Sequence, residues 1–300
     1  MTRIQLTEGG PTFSRTVAGV MRLREWGMDT DGLRDFIHQC LDLGITTFDH
    51  ADIYGSYTCE ALFGAALAAE PALRGRIELV TKGGIQLLSP NRPENYVHHY
   101  NTGRDYIVAA AENSLHNLHT DTLDLFLIHR PDPLLDADEV AEALTALRAA
   151  GKARHVGVSN FMPWQFDLLQ ARLDFPLVTN QIELSVLHLA PLHDGTLDQA
   201  QRLGAAPMVW SPVAGGRLFS GGDERAGRVR GALEVISGQI GASPAQVALA
   251  WVLRHPSRPL PVMGTGQIER LREAVAAESI TLDRQQWFAI WEASAGREVP

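Results

Sequence analysis

GITTFDHADIYG, residues 44–55, is the stretch from which the fold can be read. Ile45, Thr46, Thr47 and Phe48 form a β-branched and aromatic run, the composition of a short buried strand. The run ends in Asp49. Tyr54 follows five residues later, immediately before Gly55. A strand that delivers an acid and a phenol into the next loop fits a catalytic floor. It equally fits a strand cap followed by a loop tyrosine, and the surrounding chain has to decide.

Working outward, the same pattern recurs. Upstream, residues 3–6 and 12–14 flank Gly9-Gly10 and predict a β-hairpin. Residues 17–21 are a first buried strand. Residues 31–43 carry Leu33, Phe36, Ile37, Cys40 and Leu41 at helical spacing, and Gly44 ends that helix. Downstream, helices are predicted at 60–69, 104–117, 137–150, 163–172, 197–203, 229–240, 244–254, 267–276 and 284–293. Strands are predicted at 77–82, 123–128, 153–158, 177–181, 208–211 and 260–263. Residues 87–101, with Pro90 and Pro93, and the Gly- and Arg-rich residues 215–227 read as loops. Eight strands that mostly alternate with helices imply parallel pairing and closure. The expected fold is an α/β (β/α)8 TIM barrel with an N-terminal β-hairpin and extra C-terminal helices, formed as one domain over residues 1–300. An open dinucleotide-binding sheet would need a Gly-rich turn after its first strand. Residues 22–27 read RLREWG instead.

Composition narrows the class. With 45% hydrophobic and 20% charged residues, the chain suits a globular core. A formal charge of -9 argues against general nucleic-acid binding. No apolar run is long enough for a membrane span, and MTRIQLTEGG lacks a secretory pattern. Two cysteines, Cys40 and Cys59, make no disulfide framework, so a cytoplasmic location is expected. The expected partner is a small molecule. Oligomeric state is not readable from the sequence.

The strand ends decide the reading of residues 44–55. Successive strands end in Asp49, Lys82 and His129; Ser159 and Asn160 follow the fifth. Asn180 and Gln181 end the sixth, Trp210 and Ser211 the seventh, and Thr265 follows the eighth. In a barrel these ends converge on one face, where active sites are built. A phenol has an ordinary pKa of roughly 10. An ammonium from Lys82 beside Tyr54 would make it a better acid, and Asp49 would orient that ammonium. His129 would bond a carbonyl oxygen or assist the proton transfer. The set suits protonation of a developing alkoxide.

At this point the chain resembles the aldo-keto reductase family. Phe48-Asp49-His50-Ala51-Asp52-Ile53-Tyr54-Gly55 matches the family's Asp-to-Tyr motif, Leu79-Val80-Thr81-Lys82 its lysine, and Leu125–His129 its histidine. The resemblance runs from the hairpin to about Glu273. It implies NADPH-dependent reduction of aldehydes or ketones, with Tyr54 as proton donor and Asp49, Lys82 and His129 completing the tetrad. NADP(H) is expected over NAD(H). It further implies that Ser159, Asn160 and Gln181 hold the nicotinamide carboxamide and that Trp210 stacks on the ring. Ser211, Pro212, Val213, Gly215, Gly216 and Arg217 would cover the pyrophosphate. Gly264, Thr265, Gly266, Arg270 and Glu273 would meet the adenosine phosphate and adenine. Gly264 stands where many members have lysine, and Ala274 where many have asparagine. The C-terminal tail is short, so the substrate pocket falls to Met21, Trp26, Tyr54, Phe161, Trp164 and the 96–101 loop, a partly aromatic set that suggests a hydrophobic carbonyl substrate.

Two other functions fit the same barrel. One is a cofactor-binding scaffold or regulatory subunit with little turnover. The other is a lyase or isomerase that uses Lys82 as a Schiff base. No metal is expected: His98-His99 and the pair His116 and His119 lack a completing Cys or carboxylate cluster.

Overall fold

The computed structural model describes residues 2–300. A hairpin, β1 (Arg3–Gln5) against β2 (Thr12–Ser14), precedes the barrel. The chain then runs β3 (Val17–Gly19), α1 (Thr30–Asp42), β4 (Thr47–Asp49), α2 (Cys59–Ala69) and β5 (Glu78–Gly83). A short antiparallel ribbon, β6 (Ile85–Gln86) with β7 (His99–Tyr100), follows, then α3 (Arg104–Asn117), β8 (Leu123–Ile128) and α4 (Ala137–Ala149). Next come β9 (Ala153–Ser159), α5 (Pro163–Gln170), β10 (Leu177–Glu183), α6 (Thr196–Leu203) and β11 (Met208–Trp210). Helices α7 (Arg217–Ser220), α8 (Glu224–Ile240) and α9 (Pro244–Leu253) precede β12 (Leu260–Met263), and α10 (Ile268–Ala277) and α11 (Arg284–Ala295) end the chain. Strands β3, β4, β5, β8, β9, β10, β11 and β12 pair in that order and close into an eight-stranded parallel barrel. No helix among the described residues is long and apolar enough to cross a membrane.

Strand alternation sorts side chains between the barrel interior and the helix layer. Val17, Val80, Leu125, Leu127, Val178, Met208, Leu260 and Val262 fill the interior, which Leu6 and Phe13 of the hairpin segment plug from below. Phe48, Leu79, Phe126 and Ile128 face the surrounding helices. Counting in twos from Val80 and Leu127 puts Lys82 and His129 on the interior side at the C-terminal rim. Asp49, next to outward Phe48, falls there too. Strand β10 breaks the count. Its register with β9 shifts between Leu177 and Asn180, so Val178 and Gln181 both turn inward.

Two segments expected as loops carry regular structure. Residues 87–101 are framed by the β6–β7 ribbon, and Tyr57 Oη accepts from Leu87 N at 2.8 Å to hold it. Within 215–227, α7 and the start of α8 are helical. Asp223 accepts from Ala226 N at 2.7 Å as an N-cap, which offsets the poor helix propensity of the glycines. Arg230 donates to the carbonyls of Leu218 and Gly221, anchoring the end of α7.

Candidate active site

Lys82 is fully buried, and its ammonium is the centre of the cluster. Nζ lies 2.8 Å from Asp49 Oδ1 and donates to Oδ2 at 2.9 Å. It also donates to the His50 carbonyl at 2.6 Å and to Tyr54 Oη at 3.1 Å. All three donors are therefore used, which is the condition for burying a charge at tolerable cost. The Tyr54 and His129 rings stand edge to face, centroids 6.1 Å apart. The structure thus brings together Asp49, Tyr54, Lys82 and His129.

The loop between the acid and the phenol is locally determined. Asp52 N donates to the Lys82 carbonyl at 3.0 Å, and Ile53 N to Asp52 Oδ1 at 2.7 Å. Gly55 then turns with φ +57, and a Cβ there would lie 2.6 Å from Cys59 Sγ. Strain gathers on this rim. Among the described residues, seven non-glycine residues have positive φ, and five of them (Ser56, Tyr57, Asn160, Ser211 and Ala214) lie in the segments leaving β4, β9 and β11.

Burial dominates the titration of the cluster. It pushes Lys82 down, but Asp49 and then Tyr54 more than offset this and the net shift is upward. Burial also raises Tyr54; Lys82 opposes, and Asp49 adds to the rise. Lys82 thus acts in the expected direction, making Tyr54 a better acid than burial alone would leave it, while desolvation sets the net upward shift. His129 is held well below its ordinary pKa by burial, then by Lys82 and Arg130. This favours the neutral imidazole, and its buried Nδ1 has no partner among the described residues. His50 is pushed down to about 3 by burial and then by Lys82, its ring edge-on to Phe63 at 4.5 Å. The contribution of His50 to the cluster is its carbonyl.

The residues expected at the nicotinamide lie on the same rim. Gln181 Nε2 donates to Asp49 Oδ1 at 2.7 Å, and its Oε1 has no hydrogen-bond partner among the described residues. Asn160 Oδ1 accepts from Trp210 Nε1 at 2.9 Å, while its Nδ2 donates to Ser159 Oγ at 2.8 Å. Ser159 Oγ donates to the Gln181 carbonyl at 3.0 Å. Ser159 and Asn160 thus brace the rim and fix the indole. After β11, Ser211 has φ 51, Pro212 is buried and Val213 packs on the core. Gly215 and Gly216 are exposed with positive φ, as is the Arg217 side chain.

The turn after β12 has partners that sequence reasoning missed. Arg22 Nη2 donates to the Gly264 carbonyl at 2.5 Å, bringing a cation to the position where the resemblance implies a lysine. Trp26 lies flat against Gly266: a Cβ there would meet the indole at 2.6 Å. The same ring packs on Phe36 at 5.3 Å. Trp26, expected at the substrate pocket, thus also packs against this turn. Phe161, also expected at the substrate pocket, is 2% exposed inside the helix-layer core. Met21 and Trp164 are exposed. Arg270 is exposed, and Thr265 Oγ1 accepts from Gln267 N at 3.1 Å. Glu273 accepts from Ser243 Oγ, so its carboxylate is already engaged with the N-cap of α9.

The turn geometry suits a nucleotide: an unengaged amide oxygen, an indole fixed by its N–H, and a glycine turn with a guanidinium beside it. Comparison with known proteins agrees. The chain is 54% identical to the oxidoreductase YdhF of Escherichia coli, over 99% of both chains. It is 46% identical to a 6-dehydroglucose reductase of Agrobacterium fabrum, over 100% of both. Its fold superposes on the crystal structure of a thermostable aldo-keto reductase in complex with the inhibitor epalrestat, with a TM-score of 0.81 and 25% identity, covering 98% of this chain and 100% of that one. The Aldo/keto reductase family model matches residues 16–295, and the chain belongs to that family of NAD(P)H-dependent oxidoreductases.

Proposed function

We propose that this chain reduces aldehydes and ketones to alcohols with NADPH, Tyr54 giving the proton to the carbonyl oxygen. The observation that carries the reading is the buried Lys82 ammonium, bonded at once to Asp49 and to the Tyr54 hydroxyl, with a neutral His129 across from that hydroxyl. The reduced nicotinamide supplies a hydride when bound. The neutral His129 offers an N–H to the carbonyl oxygen and polarises it. Tyr54 passes its proton to that oxygen as negative charge builds there. Lys82 stabilises the charge left on the phenol oxygen, and Asp49 keeps the ammonium in place. Lys82 has every proton in a hydrogen bond, which speaks against its use as a free amine for Schiff-base chemistry.

For the cofactor, Trp210 offers a flat face fixed by Asn160, and Gln181 Oε1 accepts from the carboxamide. Residues 211–217 cover the pyrophosphate. Thr265, Gly266 and the first turn of α10 meet phosphate, with Arg22 and Arg270 supplying charge. Arg22 fills the role left by Gly264, and this favours NADPH over NADH. The whole chain acts as one catalytic unit, and its buried free thiols suit a reducing cytoplasm.

The test is NADPH consumption with a panel of aldehydes and ketones, a sugar aldehyde among them. It is paired with titration of NADPH and NADH by quenching of tryptophan fluorescence. Turnover with tighter NADPH binding is expected. NADPH binding without turnover of any substrate would favour the scaffold reading.

A further inference from the structure

Arg130 follows His129 directly, in the turn that leaves β8. Its guanidinium carbon lies 5.6 Å from the centroid of the Trp210 ring, so the side chain reaches across the rim from the fourth barrel strand to the seventh. It is half-buried, yet it makes no hydrogen bond or ion pair with any described residue. The acid in its own turn, Asp132, is spent elsewhere: it accepts from Thr102 Oγ1 at 3.0 Å and from Leu134 N at 2.8 Å. The guanidinium therefore brings five N–H donors to the site with no acceptor among the described residues. Its charge also helps to hold His129 neutral, which leaves that ring one N–H donor and one acceptor nitrogen.

The donors converge. Tyr54, His129 and Arg130 all offer hydrogens on this rim, while Phe161, one of the aromatic residues that suggested an apolar pocket, is packed into the core and Trp26 is partly buried against Gly266. Arg130 adjoins His129 in the chain and reaches Trp210, so its guanidinium stands beside the place where Tyr54 and His129 would hold a carbonyl oxygen. An alkyl chain there would displace water from the half-buried cation and offer it no acceptor, whereas hydroxyl oxygens accept from it. Resting on the carbonyl-reductase reading, we propose that Arg130 is a specificity-determining residue that selects substrates hydroxylated next to the carbonyl, a sugar-like aldehyde or ketone.

The test compares D-glyceraldehyde with propanal, which has the same three-carbon chain without the hydroxyls, in the wild type, Arg130→Met and Arg130→Lys. In the wild type kcat/KM is expected to favour glyceraldehyde by about 10-fold or more. Arg130→Met should bring the ratio close to that of the uncatalysed reactivities, and Arg130→Lys should restore part of it. NADPH affinity, read by tryptophan fluorescence, should stay within about threefold in both variants, a bound that separates substrate recognition from cofactor binding. An unchanged ratio in Arg130→Met overturns the proposal. So does a loss of NADPH affinity that matches the loss of turnover, which would make Arg130 a cofactor residue. If the wild type binds NADPH and reduces neither aldehyde nor any other carbonyl offered, the underlying reading fails and the proposal fails with it.

Discussion

At the scale of single residues, the chemistry turns on how one buried ammonium is shared. Lys82 holds Tyr54, but Asp49 is itself held by Gln181 at 2.7 Å, so the amide takes part in setting the acidity of the phenol. Gln181→Met removes the donor while keeping the shape. The Asp49 charge is then less offset, and a negative charge beside Tyr54 raises its proton affinity. The alkaline limb of the kcat profile is expected to move to higher pH, with kcat falling roughly 10-fold. A limb that moves down, or stays, would remove Gln181 from the acid machinery. Asp49, Tyr54, Lys82 and His129 were legible in the sequence because each stands at or just after a strand end. The Gln181–Asp49 bond was not, because the register shift in β10 is invisible to simple alternation. Arg22 was missed for another reason: nothing local links it to a turn 242 positions away.

At the scale of elements, the turn between β12 and α10 is clasped by the segment after β3. Trp26 fits only because residue 266 has no side chain. In Gly266→Ala the new Cβ overlaps the indole, which cannot retreat without losing Phe36. The expected result is about 1–3 kcal/mol of lost stability, seen as a lower Tm, together with weaker NADPH binding. An unchanged Tm with full affinity would show that the clasp is dispensable. The helical start of α8 could have been read from Asp223 preceding Glu224, an N-cap signal that the surrounding glycines obscured. The β6–β7 ribbon has two residues per strand, too short for any periodicity to register.

At the scale of the whole molecule, the barrel was legible because strand and helix periodicity alternate with few long gaps. Its closure also gathers buried titratable groups behind the rim, and these set its response to acid. His50 titrates at about 3 in the fold against an ordinary 6.5, and His129 is depressed too. The unfolded chain takes up protons below its ordinary histidine pKa and the fold does not, so this stability is fully present above about pH 6.5 and is lost as pH falls toward 3. Asp52 and Glu60, both raised by burial, act in the opposite direction: their contribution is lost as pH rises through their folded values. His50→Leu removes one histidine and leaves the acids. Its urea midpoint is expected to fall less than the wild type's between pH 6.5 and pH 4 (roughly the span between free histidine and carboxylate values). Parallel curves would exclude His50 as a source of acid sensitivity. The central claim, that Tyr54 protonates a carbonyl reduced by NADPH, is tested most directly by the rate of NADPH oxidation with one good aldehyde in wild type and in Tyr54→Phe, both shown to bind NADPH equally. The expected result is rapid turnover in the wild type and a fall of about 10²–10⁴-fold in the variant. Equal rates in the two proteins would contradict it.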